Sequence, residues 1–355
     1  MMTTSYEKEL VHALLAVSRA VILTQSVFHS TKTSISKSDA SPVTIGDFGA
    51  QALIISSLRH AFPQDDVIAE EEASALRNDH GLAEQIWTLV KNTRLDSSDE
   101  EAALGGAVKG KEDMLHIIDS GGAAGGPAGR VWALDPIDGT KGFLRGGQYA
   151  VCLALIEDGD VRVGVLACPN LQVDDAAPLS ADVNNGTDRG VLFCAVTGQG
   201  AHSRLLSTGA LKQPKRIQMK QVEKIADATF CESVEAGHSS HGDQAAIAKI
   251  LGITKESVRM DSQAKYGSIA RGAGDLYLRL PVKKGYEEKI WDHAAGDLIV
   301  REAGGEVTDA RGERLDFSLG RTLKNNTGVV AAPRDVYGKV LEAVRKVLEG
   351  KEEQT

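Results

Sequence analysis

The stretch VWALDPIDGTKGFLRGG, residues 131–147, ends a buried-looking strand with two aspartates three positions apart. Asp135 follows the apolar run VWAL, at the carboxyl end of a strand, where open α/β sheets usually bind ligands. Pro136 stiffens the turn, so that Ile137 offers its carbonyl outward and Asp138 returns to the same side. Two carboxylates and a carbonyl form a group of hard oxygens that suits Mg²⁺, and a cation would turn the repulsion of the aspartates into attraction. The stretch therefore predicts a magnesium site at the end of a strand.

Gly139 and Thr140 come directly after this group. Backbone N–H groups and a hydroxyl at the start of a helix are an arrangement that holds phosphate. A turn with aspartate caps is the other interpretation, and the motif alone leaves both open.

Further acidic residues occur in positions that fit the same site. Glu70 and Glu71 end the strand-like segment DVIA, Asp292 lies at the start of a predicted helix, and Asp47 follows Thr44 by three positions in another predicted helix. Taken singly, the glutamates could be a surface cluster and the aspartates could be helix caps. The residues by themselves leave these alternatives open.

Composition limits the classes of function. The chain has 355 residues, 42% hydrophobic and 25% charged, which is ordinary for a globular protein of roughly two domains. Its net charge of -9 argues against a nucleic-acid surface or a polybasic membrane patch. We expect no membrane span, because no apolar run approaches the ~20 residues that a span requires. The N-terminus lacks a signal-peptide layout, so we expect a cytoplasmic protein. The four separated cysteines are typical of reduced core residues.

Alternating helix and strand patterns predict an α/β fold. Residues 97–130 are rich in Gly, Ala, Ser and charge, which predicts a flexible surface insertion. Residues 174–190 are polar and rich in turn formers, so we expect a domain boundary there, with domains 1–188 and 189–355. In DLYLRLP, strand alternation places the leucines on one face and turns Arg279 towards solvent or a cleft.

These motifs together resemble a known family. DPIDGT, with WDHAAG downstream and EE after an upstream strand, resembles the lithium-sensitive, Mg²⁺-dependent phosphatase superfamily that includes inositol monophosphatases. SPVTIGDFGAQALI, GHSSHGDQ, DSQAKYGSIARGAGDLYLRLP and EKIWDHAAG resemble the 3′(2′),5′-bisphosphate nucleotidases of fungi and plants. The resemblance covers nearly the whole chain apart from 97–130 and the tail. It implies a layered α/β/α/β/α sandwich, with an N-terminal α+β domain, a smaller C-terminal α/β domain and the site between them.

The resemblance also implies roles for individual residues. Two to three Mg²⁺ ions are expected on Glu70, Asp135, the Ile137 carbonyl, Asp138 and Asp292. Asp47 and Thr140 would orient and activate the attacking water. The substrate contacts implied are Gly139, Thr140, His238, Ser262, Lys265, Arg279 and Asp292. The chain departs from the family in one place: it has AEEEA where the family usually has GEES, so Ala69 stands in the turn in place of a glycine.

The implied activity is removal of the 3′-phosphate from adenosine 3′,5′-bisphosphate, and also from 3′-phosphoadenylyl sulfate. The resemblance further implies a role in sulfate assimilation and salt tolerance, inhibition by Li⁺ or Na⁺, and a monomer whose partner is a small nucleotide. Two alternatives remain: an inositol polyphosphate 1-phosphatase or inositol monophosphatase, and a catalytically idle nucleotide-binding sensor. Lys265 and Arg279 disfavour the first, because an inositol monophosphate has no 5′-phosphate to hold. The intact acidic set disfavours the second.

Overall fold

The structure is a computed structural model, and it describes residues 5–33, 41–176, 179–180, 183, 188–235, 237, 239–283 and 285–352. Its helices are α1 (Glu7–Thr33), α2 (Pro42–Ala61), α3 (Ser74–Asn78), α4 (His80–Asn92), α5 (Ser98–Leu104), α6 (Lys111–Asp119), α7 (Thr140–Leu144), α8 (His241–Leu251), α9 (Ala264–Ala270), α10 (Ala294–Glu302) and α11 (Arg334–Glu352). Short 3₁₀ turns cover Ile225–Asp227 and Ile290–Asp292.

The strands form two sheets. The first has seven strands in sequential order: β1 (Asp66–Ala69), β2 (Arg130–Asp138), β3 (Ala150–Glu157), β4 (Asp160–Gln172), β5 (Arg189–Val196), β6 (Gly200–Leu205) and β7 (Lys215–Ile217). The second has the order β11-β12-β10-β8-β9, from β8 (Phe230–Glu232), β9 (Val258–Arg259), β10 (Leu276–Arg279), β11 (Gly305–Thr308) and β12 (Val329–Pro333). β1 pairs with β2 in parallel, and the remaining pairs of the first sheet are antiparallel.

Five layers pack around three apolar cores, and the second core fills both sides of the middle helical layer. Trp132 and Leu134 of β2 face a core that α1 and α2 close, whereas Val131 and Ala133 face the opposite side. That second core contains α9, α10 and the inner face of the second sheet. The outer face of the second sheet packs on α8 and α11 in a third core. Because both faces of the first sheet are covered, its strands are almost continuously apolar. The α/β/α/β/α arrangement confirms the predicted fold class.

The first helix differs from what composition led us to expect. By length and composition, Glu7–Ser30 is long and apolar enough to cross a membrane, so the expectation that no segment approaches that length was wrong. In the structure, 67% of an apolar 18-residue segment within this stretch is buried against the rest of the chain. α1 packs on α2 and on the first sheet, as part of the outer helical layer that closes the first core.

The predicted domain boundary at residue 188 is also wrong. β4 and β5 pair across it, from Val163 with Val196 to Gln172 with Arg189. The polar segment 174–190 therefore connects two neighbouring strands of one sheet. The break between the sheets falls between Ile217 and Phe230, because strand pairing rather than turn composition defines the unit.

The segment 97–130 is not the surface insertion that its composition indicated. It contains α5 and α6, and buries Leu104, Met114 and Ile118 in the first core. After α6 the backbone runs beside β1, where the Ala69 N–H donates to the Gly121 carbonyl at 2.8 Å. Glycines and charges in this segment obscured the short apolar stretch MLHII, which predicts a buried helix face.

Candidate active site

The DPID motif forms the end of β2 and bends there. Asp135 faces Cys152 of β3 and Asp138 faces Ala150, so three steps along β2 match two along β3. One extra residue of this kind makes a β-bulge, which re-aims side chains at the rim of a sheet. Asp135 is 2% exposed, and its Oδ1 atom has no hydrogen-bond partner among the described residues. The bulge thus turns both carboxylates to one side, as the sequence predicted.

The neighbouring strand brings Glu70 to this group. Ala69 pairs with Leu134 in parallel register, so the next residues, Glu70 and Asp135, leave their strands side by side. The two carboxyl groups therefore lie at the same edge of the sheet.

The turn that carries Glu70 is fixed by a glutamine of α2. The Gln51 amide nitrogen donates to the Glu71 carbonyl at 2.7 Å, and the Glu71 N–H donates to the Gln51 Oε1 atom at 3.0 Å. Ala69, the departure from the family pattern, is accommodated by Gly121. A Cβ at Gly121 would lie 2.7 Å from the Ala69 Cβ, so the missing side chain makes room for the extra methyl group.

Asp47 lies on α2, one turn before Gln51. Gly46 packs on the DPID motif so closely that a Cβ there would lie 2.6 Å from the Ile137 Cδ1 atom. Asp47 is 6% exposed, and its Oδ1 atom has no hydrogen-bond partner among the described residues. Burial raises the pKa of Asp47 well above its usual range, and the charges of Glu71 and Glu70 raise it further.

The second half of the chain closes the site from the other side. Gly139 has φ +89°, and a Cβ on it would lie 2.9 Å from the Ser262 Cβ. Ser262 itself has φ +68°, a left-handed conformation that is uncommon outside glycine. Asp292 ends the 3₁₀ turn before α10, rather than lying in the first turn of the helix as predicted.

Arg279 lies between two acidic residues. Its Nε and Nη2 atoms each lie 2.8 Å from an oxygen of Glu288, and Nη2 lies 3.7 Å from an Asp292 oxygen. His293, fully buried, contacts Glu288 at 3.4 Å and the Tyr266 hydroxyl at 2.8 Å. Arg279 does point into the cleft, as strand alternation predicted, but much of its charge is already neutralised.

Carboxylates dominate the electrostatics of the site. Burial, together with repulsion from Asp292, raises the pKa of Glu70 to about 8 and that of Asp138 to about 6. Burial, followed by the charge of Glu70, raises the pKa of Asp135 well above its usual range. Solvent reaches Glu70 from the cleft, yet the surrounding protein and carboxylates still disfavour its charge. Without a cation, these groups cannot all ionise near neutral pH.

A cavity of about 330 Å³ joins the acidic group to the second half of the chain. This volume lies at the small end of the range of known ligand sites. The predicted residues that line it are Glu70, Asp135, Ile137, Asp138, Gly139, Thr140, Ser262, Lys265, Arg279 and Asp292. Asp47 is not among its lining residues. His238 lies outside the described residues.

Lys265 is 4% exposed and adjoins this cavity. Its ammonium group donates to the carbonyls of Ser262 at 2.7 Å and Met260 at 3.2 Å. An ammonium carries three N–H donors, so one beyond these two remains for a ligand. Burial lowers the pKa of Lys265 to about 8, although the charge of Asp138 partly offsets this.

The pattern of the inositol monophosphatase family matches residues 6–349. The chain belongs to the inositol monophosphatase family. The 3′(2′),5′-bisphosphate nucleotidase of Emericella nidulans is 63% identical over 97% of this chain and 99% of its own length. The Schizosaccharomyces pombe protein of the same name is 49% identical over 97% and 96%, and that of Oryza sativa 43% over 97% and 95%.

Solved structures agree on the fold. An inositol monophosphatase from Thermotoga maritima superposes with a TM-score of 0.58 at 19% identity, over 97% of this chain and 99% of the other. A bacterial member of the inositol monophosphatase family from Bacteroides thetaiotaomicron gives 0.58 at 20% identity, over 94% and 100%. Both support the layered architecture.

The inositol monophosphatase family is metal-dependent, generally on Mg²⁺, and the residues of this chain fit such an ion. Two buried carboxylate oxygens, Asp47 Oδ1 and Asp135 Oδ1, have no hydrogen-bond partner among the described residues, and atoms of this kind are rare without an explanation. The donors are carboxylate and carbonyl oxygens, which Mg²⁺ prefers. A divalent cation would also make the repelling carboxylates favourable neighbours.

A second acidic group is less suited to a metal ion. Ligand atoms of Glu288, Asp292 and His293 lie within 4.8 Å of one another. However, Arg279 already binds both oxygens of Glu288, so a cation of the protein occupies this group.

Sequence reasoning missed several residues of the site. Gln51, Gln263 and Glu288 touch it through hydrogen bonds, and Tyr286 lines the cavity. Of these residues, Gln51 could have been found from the sequence, because it follows Asp47 by four positions and so shares its helix face.

Proposed function

We propose that this chain is a Mg²⁺-dependent phosphatase that removes the 3′-phosphate of adenosine 3′,5′-bisphosphate, giving AMP and phosphate. The observation that carries the proposal is that one cavity is lined both by the acidic group and by Lys265 and Arg279. An acidic group needs divalent cations to hold phosphate, whereas a second phosphate needs cations that the protein supplies. The relatives named 3′(2′),5′-bisphosphate nucleotidase, up to 63% identical, support the nucleotide as substrate.

In this proposal the metal ligands are Glu70, Asp135, the Ile137 carbonyl, Asp138 and Asp292, holding two to three Mg²⁺ ions. When bound, Mg²⁺ neutralises the phosphoryl oxygens and the charge that develops on the leaving ribose oxygen. This assistance is large by necessity, because phosphate-monoester hydrolysis is among the slowest uncatalysed reactions.

Asp47 is the proposed general base. It would draw the proton from the attacking water through the Thr140 hydroxyl, while the Gly139 and Thr140 N–H groups hold the phosphoryl group. Buried carboxyl groups with perturbed pKa values are typical of catalytic acids and bases, and Asp47 is such a group. The protein thereby supplies the orientation and the proton transfer.

Ser262, Lys265 and Arg279 are the proposed contacts to the nucleotide. The remaining N–H of Lys265 and the outer edge of the Arg279 guanidinium would bind the 5′-phosphate. His238 belongs to the proposal through the resemblance of GHSSHGDQ alone. We also propose that 3′-phosphoadenylyl sulfate is a substrate, which would connect the enzyme to sulfate assimilation, and that the enzyme works as a cytoplasmic monomer.

Inhibition by Li⁺ and Na⁺, and with it a role in salt tolerance, follows from the same site. A small monovalent ion in a Mg²⁺ position would be held by the carboxylates, but carries half the charge to stabilise the reaction. We expect Li⁺ inhibition to weaken as the Mg²⁺ concentration rises.

Phosphate release from adenosine 3′,5′-bisphosphate, measured with Mg²⁺ and with EDTA, tests the proposal. Inositol 1,4-bisphosphate and inositol 1-phosphate serve as competing substrates, and Asp160→Asn, at an exposed carboxylate, is the control for Asp135→Asn. We expect Mg²⁺-dependent release, a higher kcat/KM for the nucleotide, and loss of activity in Asp135→Asn only. A higher kcat/KM for an inositol phosphate would identify the enzyme as an inositol phosphatase instead. Nucleotide binding without phosphate release would instead identify a sensor.

A further inference from the structure

Gln263 connects the two parts of the acidic group. It is 3% exposed and lines the cavity between Ser262 and α9. Its backbone N–H donates to the Asp138 Oδ2 atom. Its side-chain Nε2 atom donates to the Trp291 carbonyl at 2.8 Å, and its Oε1 atom accepts from the Gly296 N–H at 3.1 Å. One residue therefore contacts the DPID motif and both sides of Asp292.

The backbone bond to Asp138 depends on an unusual local conformation. Ser262 has φ +68°, and this turn presents the following N–H group to the carboxylate. The close approach of Gly139 to Ser262 requires that Gly139 lack a side chain, since a Cβ would lie 2.9 Å from the Ser262 Cβ and 3.2 Å from its nitrogen. Strained non-glycine residues of this kind persist where the surrounding structure fixes them.

The side-chain bonds of Gln263 hold the turn that carries Asp292. The Trp291 carbonyl immediately precedes Asp292, and Gly296 lies in the first turn of α10. The first N–H groups of a helix have no partner within it, so the Gln263 Oε1 atom caps α10. Both ends of the Asp292 turn are thus tied to the residue that also binds Asp138.

We propose that Gln263 is a positioning residue that sets the distance between Asp138 and Asp292 and thereby the affinity of the site for divalent cations. Asp138 extends from the first sheet and Asp292 from the turn before α10, and their like charges repel one another. The backbone N–H of Gln263 binds Asp138, and its neutral side chain holds the turn that carries Asp292, so neither contact adds charge. This inference rests on the proposed metal site.

Gln263→Met tests the proposal. Methionine is similar in length and volume but loses both side-chain hydrogen bonds, whereas the backbone bond to Asp138 is kept. The probe is Mn²⁺ alone, titrated into metal-free protein and followed by electron paramagnetic resonance, because Mn²⁺ shares the oxygen preference of Mg²⁺. Loss of a partner that orients a metal ligand typically costs about 10–100-fold in affinity, so we expect the Kd for Mn²⁺ to rise by at least about 10-fold.

Gln244→Met is the matched control. Gln244 is also buried in the second half of the chain, and its amide donates to a backbone carbonyl, that of Leu278, at 2.8 Å. It loses one hydrogen bond where Gln263→Met loses two, so we expect a smaller loss of stability and a Kd for Mn²⁺ within twofold of wild type. In the activity assay, Gln263→Met is expected to raise the Mg²⁺ concentration for half-maximal rate, with kcat largely recovered at saturating Mg²⁺.

Two outcomes would overturn the inference. A lower Tm of Gln263→Met with an unchanged Kd for Mn²⁺ would make Gln263 a packing residue only. If the wild-type protein bound no Mn²⁺, the proposed metal site would be wrong, and with it both this inference and the proposed function. If Gln263→Met fails to fold, Gln263→Asn takes its place. Asparagine keeps the amide but is one methylene too short to reach both partners, so we expect the same rise of at least about 10-fold in the Kd for Mn²⁺.

Discussion

Replacing Arg279 by methionine separates its contribution to stability from its proposed contact with the substrate. Arg279 and Glu288 are 14% and 9% exposed, and two bonds of 2.8 Å join them. Burial disfavours the charge of Glu288, but the hydrogen bond with His293 and the charge of Arg279 lower its pKa to about 2, from 4.5. A tenfold change in proton affinity corresponds to about 1.4 kcal/mol, so the ionised form is stabilised by roughly 3 kcal/mol in the folded protein.

Arg279→Met leaves His293 as the remaining partner of the buried Glu288 carboxylate. We expect a loss of about 3 kcal/mol in the free energy of unfolding at pH 7, in line with the cost of removing one partner of a buried ion pair. The pKa of Glu288 is depressed in the folded state, so this stabilisation is present above its unfolded pKa of about 4.5 and is lost as the pH falls towards 2. The difference between wild type and variant should therefore shrink at pH 4.

Urea unfolding at pH 7 and pH 4 measures this effect, with phosphate release from adenosine 3′,5′-bisphosphate as the second assay. Glu288→Gln, added to Arg279→Met, removes the unpaired charge and should recover most of the stability but none of the lost activity. Arg77→Met, which breaks a half-exposed pair with Asp119, is the control and should cost at most about 1 kcal/mol. Wild-type stability of Arg279→Met would show that the buried pair does not stabilise the fold, and full activity of the double variant would exclude Arg279 as a substrate contact.

Three further predictions follow from the same geometry. Asp47→Asn should lower kcat by at least about 100-fold, the typical contribution of a general base. Its Tm should stay equal or rise, because the substitution removes a buried carboxyl group with a raised pKa. A near-normal kcat would exclude Asp47 as the base. In EDTA, the Tm should fall as the pH rises from 5 to 8. The folded protein holds protons on carboxyl groups such as Glu70, with a pKa of about 8, whereas the unfolded chain releases them near pH 4.5. Mg²⁺ should reverse this fall, and an equally steep dependence of Tm on pH with Mg²⁺ would contradict the prediction. Gly121→Ala places a Cβ 2.7 Å from that of Ala69 and should raise the Kd for Mn²⁺. Gly110→Ala, whose Cβ would have no neighbour within 4 Å, is the control and should leave this Kd unchanged. Equal Kd values for the two variants would show that the Glu70 turn tolerates the methyl group.

The fold class and the chemical type of the site were predictable from local sequence. VWALDPID contains the apolar strand, the turn and the paired carboxylates within eight residues, and its neighbours Gly139 and Thr140 follow at fixed positions. The leucine alternation of DLYLRLP likewise predicted that Arg279 faces solvent or a cleft, and the structure places it at the cavity. Local patterns of this kind are reliable because spacing along one strand or helix directly determines which side chains share a face.

Tertiary structure alone decided how the distant parts meet. Composition placed a boundary at 188 and an insertion at 97–130, yet pairing of β4 with β5 and burial of α6 overrode both, because strand pairing and apolar burial act between segments far apart in sequence. The same holds for Gln263, whose role depends on bonds to residues 125, 28 and 33 positions away. A sequence specifies which oxygens and amides are available, but only packing between the sheets determines which of them come within hydrogen-bonding distance.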